Sequence, residues 1–150
     1  MEVYSMKIST KGRYALRVMI DLAQHDTGEY ISLKDIAKRQ EVSMKYLEMI
    51  MALLNNAGFV ISARGKRGGY RLRKTPREYT VGSILKLAEG NLAPVACLDC
   101  KINLCTRATQ CLTLPFWEKL NTIVDEYIES VTLEDLIKQP QILIGNEHDI

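Results

Sequence analysis

Ser32-Leu33-Lys34-Asp35-Ile36-Ala37-Lys38-Arg39-Gln40-Glu41-Val42-Ser43-Met44-Lys45-Tyr46-Leu47-Glu48 is the stretch on which the fold turns. Ser32, with an acid three positions on at Asp35, has the form of a helix N-cap. It opens a short helix with Leu33, Ile36 and Ala37 inward. Lys38 and Arg39 stand near the C-terminus of that helix, where the macrodipole favours cations. Glu41-Val42 leaves room only for a tight turn. Ser43 then caps a second helix over 43–56, with Leu47, Ile50, Met51 and Leu54 as its buried stripe. Lys45, Glu48, Met49 and Ala52 fall on the other side. Gly58 is a C-terminal stop. Two helices joined by so short a turn form a helix-turn-helix.

The flanks extend this motif. Downstream, Phe59-Val60-Ile61 and Tyr70-Arg71-Leu72-Arg73 are β-prone runs, and Arg64-Gly65-Lys66-Arg67-Gly68-Gly69 between them reads as a hairpin tip. Upstream, residues 11–24 have helical spacing, with Tyr14, Ala15, Val18, Leu22 and Ala23 on one face, before a turn at Asp26-Thr27-Gly28. The expected fold is mainly α with a small β-hairpin wing: a winged helix-turn-helix over 6–80. A second part over 81–137 follows. It comprises a helix at 80–89 (Val81, Ile84, Leu85 and Ala88 inward), a loop holding every cysteine (97–111), a long helix over 115–131 and a short helix capped by Thr132-Leu133-Glu134-Asp135. Residues 138–150 are expected to be a disordered tail.

Charge divides along the same line. Residues 1–80 carry 15 Lys/Arg against 8 Asp/Glu, and residues 81–150 carry 5 against 10. A basic half followed by an acidic half implies that one part meets a polyanion. From Arg64 to Arg77 there are seven basic residues and no acid. Glycines at the loop tip let it approach its target closely, and the loop follows a helix-turn-helix at wing distance. Double-stranded DNA is therefore the expected partner. The second helix is expected in the major groove, offering Ser43, Lys45, Tyr46 and Glu48. Arg64, Lys66 and Arg67 of the wing are the other contact candidates, with Arg64 and Lys66 placed for the minor groove. Partial burial of Tyr46 against the wing is its alternative reading. Met44 and Met49 suit either core filling or contact with a thymine methyl group.

The four cysteines, Cys97, Cys100, Cys105 and Cys111, follow the spacing C-x2-C-x4-C-x5-C. Structural zinc usually uses two tight C-x2-C knuckles, and only one exists here. An iron–sulfur cluster tolerates wider spacing and needs thiolates in a dry pocket, which Leu98, Ile102, Leu104 and Leu112 could supply. The spacing favours a cluster, of two or four irons. Zinc, or thiols without metal acting as a redox switch, are the alternatives. The histidines, His25 and His148, form no catalytic set. Gly65, Gly68 and Gly69 lack the ending of a phosphate loop, and Ser83 has no nucleophile elbow. An enzyme is not expected. A small redox carrier is disfavoured because it gives the basic hairpin no role.

The long helix offers more apolar positions than one small domain can cover. Trp117, Leu120, Val124, Tyr127 and Ile128 are the expected homodimer interface, matching two-fold symmetric reading of a palindromic operator. The N-terminal apolar stretch is broken by Arg17 and Asp21 and does not read as a secretion signal, and Met6 is an expected natural start. No run reaches the roughly 18 apolar residues of a membrane helix, so no membrane partner and a cytoplasmic location are expected.

The chain resembles the IscR/NsrR/CymR family of bacterial winged-helix regulators (Rrf-type). Met6 to Ala15, Ile31 to Ala37, Ser43 to Glu48, Arg64 to Tyr70, Cys111-Leu112-Thr113 with Trp117, and Thr132 to Leu136 carry the resemblance, which covers about residues 6–137. It implies a homodimeric winged helix with residues matching Ser43, Tyr46, Glu48 and Arg64 at the DNA. It also implies, in many members, an iron–sulfur cluster on three cysteines. By motif position these are Cys100, Cys105 and Cys111, with one residue fewer between the first two than in cluster-binding members. The IscR branch completes the site with a histidine where this chain has Leu114. The NsrR branch uses an N-terminal acid where this chain has Arg13. Cys97 is the natural substitute. The CymR branch works without a cluster, through a partner enzyme of cysteine biosynthesis. The expected function is a homodimeric repressor whose DNA affinity is controlled by a cluster on the four-cysteine loop, with a CymR-like regulator of sulfur metabolism or a zinc or thiol switch as the alternative.

Overall fold

The computed structural model describes residues 7–98 and 105–140. Helix α1, Thr10–Gln24, starts at Ser9, whose Oγ accepts from the Gly12 N–H at 3.2 Å. Helix α2, Leu33–Gln40, starts at Ser32, whose Oγ accepts from the Asp35 N–H at 3.1 Å. It stops at Glu41, which takes the left-handed conformation at φ 54°. The Val42 N–H then donates to the Ala37 carbonyl at 3.1 Å, closing the turn. Ser43 accepts from the Tyr46 N–H at 3.1 Å and starts α3, Met44–Asn56. The helix-turn-helix thus forms from its own capping signals, as expected.

Packing, more than propensity, holds α3. Leu47, Ile50, Met51 and Leu54 are fully buried. Each such side chain contributes about 1.5–3 kcal/mol of transfer free energy, whereas propensity differences among ordinary residues stay below about 0.7 kcal/mol. Against them stand Ala15, Val18, Met19 and Leu22 of α1 and Ile36 of α2. Tyr14 and Ala23 of the expected inward face are only half-buried, while Met19 and Asp21 are fully buried. Both Tyr14 and Ala23 still pack against the core, and the Tyr14 ring also meets Tyr46.

Strands β1, Val60–Ala63, and β2, Gly69–Leu72, pair antiparallel, with Val60 opposite Leu72 and Ala63 opposite Gly69. The first strand begins one residue later than the apolar run suggests, because the Phe59 N–H is spent on the Leu54 carbonyl at the end of α3. Ile31 adds an isolated bridge to β2: its N–H and carbonyl both pair with Tyr70 at 2.8 Å. Gly69, at φ 148°, is needed there, since a Cβ would collide with the Ile31 carbonyl.

A single 3-10 turn, Pro76–Glu78, carries the chain to Tyr79. The Tyr79 ring is buried, its hydroxyl donates to the Phe59 carbonyl at 2.7 Å, and it accepts from the Lys74 N–H at 2.9 Å. Burial pushes its phenol above the ordinary range. Helix α4, Val81–Glu89, is capped by Thr80. Helix α5, Leu114–Ser130, has Pro115 in its first turn, as expected. Helix α6, Leu133–Lys138, starts at a Thr132/Asp135 capping box. The chain returns to the winged helix through main-chain bonds: Val81 N–H to the Val131 carbonyl at 2.8 Å and Leu133 N–H to the Tyr79 carbonyl at 3.0 Å. Ile84 and Leu133 are therefore buried in the same core as α1 and α3. Among the described residues no helix is long and apolar enough to cross a membrane. Met6, Cys100, Ile102, Leu104 and the expected tail from 141 onward lie outside the described residues.

Candidate nucleic-acid interface

Opposite its buried stripe, α3 exposes Met44, Lys45, Glu48, Met49 and Ala52. Ser43 is exposed too, its oxygen already accepting in the cap. Its hydroxyl proton is a donor that the cap does not use. Tyr46, expected at the DNA with partial burial as its alternative reading, is half-buried. Its ring meets Tyr14 of α1 edge to face, with centroids 5.8 Å apart. The Arg17 guanidinium lies 4.6 Å from the Tyr14 centroid and donates through Nε to Gln40 Oε1 at 3.0 Å. A chain of contacts from α2 through α1 thus fixes the aromatic side chain at the start of α3.

The base of α2 is anchored more firmly still. Asp21 is buried, and its carboxylate receives Arg39 Nε at 2.9 Å, Arg39 Nη2 at 2.7 Å and Gln40 Nε2 at 2.8 Å. Burial opposes its ionisation, but the hydrogen bonds from Arg39 and Gln40 outweigh that and hold the carboxyl below its usual range. Sequence reasoning missed this anchor. A lone acid among apolar residues of an amphipathic helix was its only signal.

Arg64, Lys66 and Arg67 are exposed at the wing tip, where the Gly68 N–H closes a turn onto the Gly65 carbonyl at 3.0 Å. None of the three enters a salt bridge with another described residue. The basic run is not uniform, however. Arg71 donates to the Gly28 carbonyl at 3.0 Å and lies 4.9 Å from the Tyr30 ring centroid, and Arg77 faces Glu134 at 3.7 Å. Two of the seven cations thus have partners within the chain.

The cysteine stretch follows α4 after a short connection. Glu89, in the last turn of α4, accepts from the Ser9 N–H at 2.9 Å and from the Ser9 hydroxyl at 2.5 Å, tying that end to the start of α1. Cys97 is half-buried in a 3-10 turn, Cys105 is exposed and Cys111 is half-buried. The Cys111 Sγ lies 3.3 Å from Thr113 Oγ1, and hydrogen bonding to Thr113 lowers its thiol pKa. A lowered thiol pKa favours thiolate, the form that binds metal. Leu112 does not line a dry pocket as expected; it is 96% exposed, because its turn carries it away from the core. Among the described residues no group of three or more His, Cys, Asp or Glu side chains is gathered to hold a metal ion.

Helix α5 packs one side on α4, where Lys86 Nζ meets Asp125 Oδ1 at 2.5 Å and Glu129 Oε1 at 3.0 Å. Val124 and Ile128 turn to an open apolar recess that they share with Ile8, Leu85 and Leu92. Trp117 and Leu120 are half-buried, with the Trp117 ring 4.9 Å from Phe116. No residue of α5 is fully buried, and Phe116, Ile123 and Tyr127 are more than half exposed.

The family described as "Rrf2: Iron-dependent Transcriptional regulator" matches residues 8–139. The chain belongs to the Rrf2 family. It is 34% identical over 149 residues to the HTH-type transcriptional regulator IscR of Vibrio campbellii, covering 97% of this chain and 86% of the relative. It superposes on the structure of CymR of B. subtilis with a TM-score of 0.71 at 40% identity, covering 87% of this chain and 95% of that one. For IscR of T. potens the TM-score is 0.70 at 40% identity, covering 88% and 86%. The Rrf2 membership makes the chain a DNA-binding transcriptional regulator of helix-turn-helix type and not an enzyme. The α1–β2 portion is the winged helix of such a regulator.

Proposed function

We propose that the chain is a homodimeric, cytoplasmic repressor that reads a palindromic operator, with its DNA affinity set by an iron–sulfur cluster on Cys97, Cys100, Cys105 and Cys111. The observation that carries the DNA reading is the pairing of an exposed polar stripe on α3 with a wing tip whose Arg64, Lys66 and Arg67 stand exposed. Lys45 and Ser43 suit phosphate or base-edge contacts, and Glu48 suits cytosine N4. Tyr46, braced by Tyr14, presents its hydroxyl to the backbone. Arg64 and Lys66 enter the minor groove, with Arg67 on the flanking phosphates.

The α5 stripe supports a homodimer. Phe116, Leu120, Ile123 and Tyr127 recur at i, i+4, i+7 and i+11, the spacing of a helix seam, and Trp117, Val124 and Ile128 broaden it. Exposed apolar area on this scale marks an interaction surface. A second copy in the same register would place two α3 helices on successive half-sites.

Thiol donors support the cluster: four cysteines within fifteen residues, one of them with a lowered pKa. A bound cluster would supply an iron- or redox-sensitive crosslink across the stretch. The chain's own residues do the coupling. Glu89 ties the end of α4, which leads into the stretch, to α1 through Ser9, and α1 carries Tyr14 and Asp21, which contact Tyr46 and α2. The output is a population shift between reading-head arrangements.

A second reading has specific support. Leu114 stands where the IscR branch has a histidine, Leu112 is exposed, and the B. subtilis CymR likeness is as close as the IscR one. A CymR-like regulator would bind DNA without metal and answer to an enzyme of cysteine biosynthesis. Anaerobic purification with iron, sulfide and visible-absorption measurement separates these readings. Iron and sulfide with a visible chromophore support the cluster. Stoichiometric zinc replaces it with a structural metal or thiol switch. A colourless, metal-free protein that retains its operator and captures a cysteine-biosynthesis enzyme favours the second reading.

A further inference from the structure

Two methionines stand on the outer stripe of α3. Met44 is 43% exposed and Met49 is 50% exposed. The other large apolar side chains exposed among the described residues are Ile8, Leu112, Phe116, Ile123 and Tyr127. All five lie at the N-terminus, in the cysteine stretch or on α5. Between α1 and β2, then, exposed large apolar side chains are confined to the recognition helix. Core filling is thereby excluded for both methionines, since the core side of α3 is already taken by Leu47, Ile50, Met51 and Leu54.

Helical spacing sets their neighbours. Met44, Glu48 and Ala52 form one i, i+4 row, and Lys45 and Met49 form the adjacent row. The stripe therefore mixes a cation, an anion and apolar groups, and ends in a side chain small enough to let the helix lie close to base edges. In the major groove the thymine C5 methyl is the one apolar mark on a base edge. Methionine is unbranched and polarisable, and it adapts to such a contact without a fixed rotamer.

We infer that Met49 selects thymine in the operator by contact with its C5 methyl, next to the phosphate or base edge held by Lys45 and the cytosine N4 held by Glu48, with Met44 making the same kind of contact nearer the helix start. This rests on the DNA-reading function proposed above and deepens it to a base preference.

The test begins with selection of a random-sequence duplex pool on the full-length protein. The enriched duplex is then remade with each thymine in turn replaced by deoxyuridine, which removes only the C5 methyl. Affinity should fall about three- to fivefold at one or two thymines, the scale of one buried methyl group. Met49→Ala, an exposed change that leaves the core intact, should bind the thymine duplex less well and lose the uracil penalty at one of those positions. Met44→Ala should do so at another. A uracil penalty that persists undiminished in Met49→Ala overturns the inference. So does a wild-type protein indifferent to uracil at every position, although sequence-specific binding then still stands. Enrichment of no sequence at all overturns both this inference and the function on which it rests.

Discussion

Asp21 decides how α2 sits on α1. Its carboxylate satisfies Arg39 bidentately and Gln40 besides, from a buried position. Asp21→Ala would leave Arg39 and Gln40 without their acceptor, and unfolding free energy by denaturant titration should fall by about 2–3 kcal/mol. The sign with pH follows from the depressed carboxyl. A group whose folded pKa lies below its unfolded one contributes fully above the unfolded value of about 3.9, and its contribution is lost as pH falls through the folded value. Acid unfolding of the wild type should steepen below about pH 4, and Asp21→Asn should flatten that part of the profile. At the wing, Arg64→Ala should weaken operator binding by about 1–3 kcal/mol, read by fluorescence anisotropy, while leaving thermal stability unchanged. At the cysteine stretch, Cys97→Ser should release iron and visible absorption if Cys97 completes the site. Full retention would assign the fourth ligand elsewhere.

At the level of elements, the helix-turn-helix was legible because its signals are local. Ser32, Ser43 and Thr132 all cap as their spacing implies, and Thr80, read as the first helical residue, is the cap of α4. The hairpin was legible from its glycines, but the bridge from Ile31 was not, because nothing near Ile31 in the chain announces Tyr70, 39 residues on. Gly69→Ala tests that bridge. A Cβ there meets the Ile31 carbonyl on backbone already at positive φ, so the loss should exceed the roughly 1 kcal/mol of an ordinary Gly-to-Ala strain. Hydrogen exchange should quicken at the Ile31 and Tyr70 amides first. Of the basic run between Arg64 and Arg77, the sequence singles out Arg64, Lys66 and Arg67 as contacts, and these stand exposed at the tip. Arg71 and Arg77 proved to have partners at Gly28 and Glu134 that composition cannot reveal.

For the whole molecule, α5 is the element whose apolar positions the monomer does not use up. Ile123→Glu, at an exposed seam position far from the reading head, should shift sedimentation from dimer to monomer at micromolar concentration and cut operator affinity with it. If each protomer neutralises about four phosphates, the dimer's log–log salt slope should lie near −7, and the monomeric variant's should be about half that.

The chain's order alone determined the helix-turn-helix, the wing, the long apolar helix and the clustering of cysteines. Caps, turns and amphipathic stripes depend on residues within about one helical turn or one hairpin, and those are adjacent in sequence. Tertiary structure alone decided that Tyr46 leans on Tyr14, that Asp21 gathers Arg39 and Gln40, and that Tyr79 hangs between Phe59 and Lys74. It also decided which apolar residues of α5 face α4 and which face outward. Such pairs form because burial makes an unmatched polar or apolar group costly, and burial is a property of the assembled core.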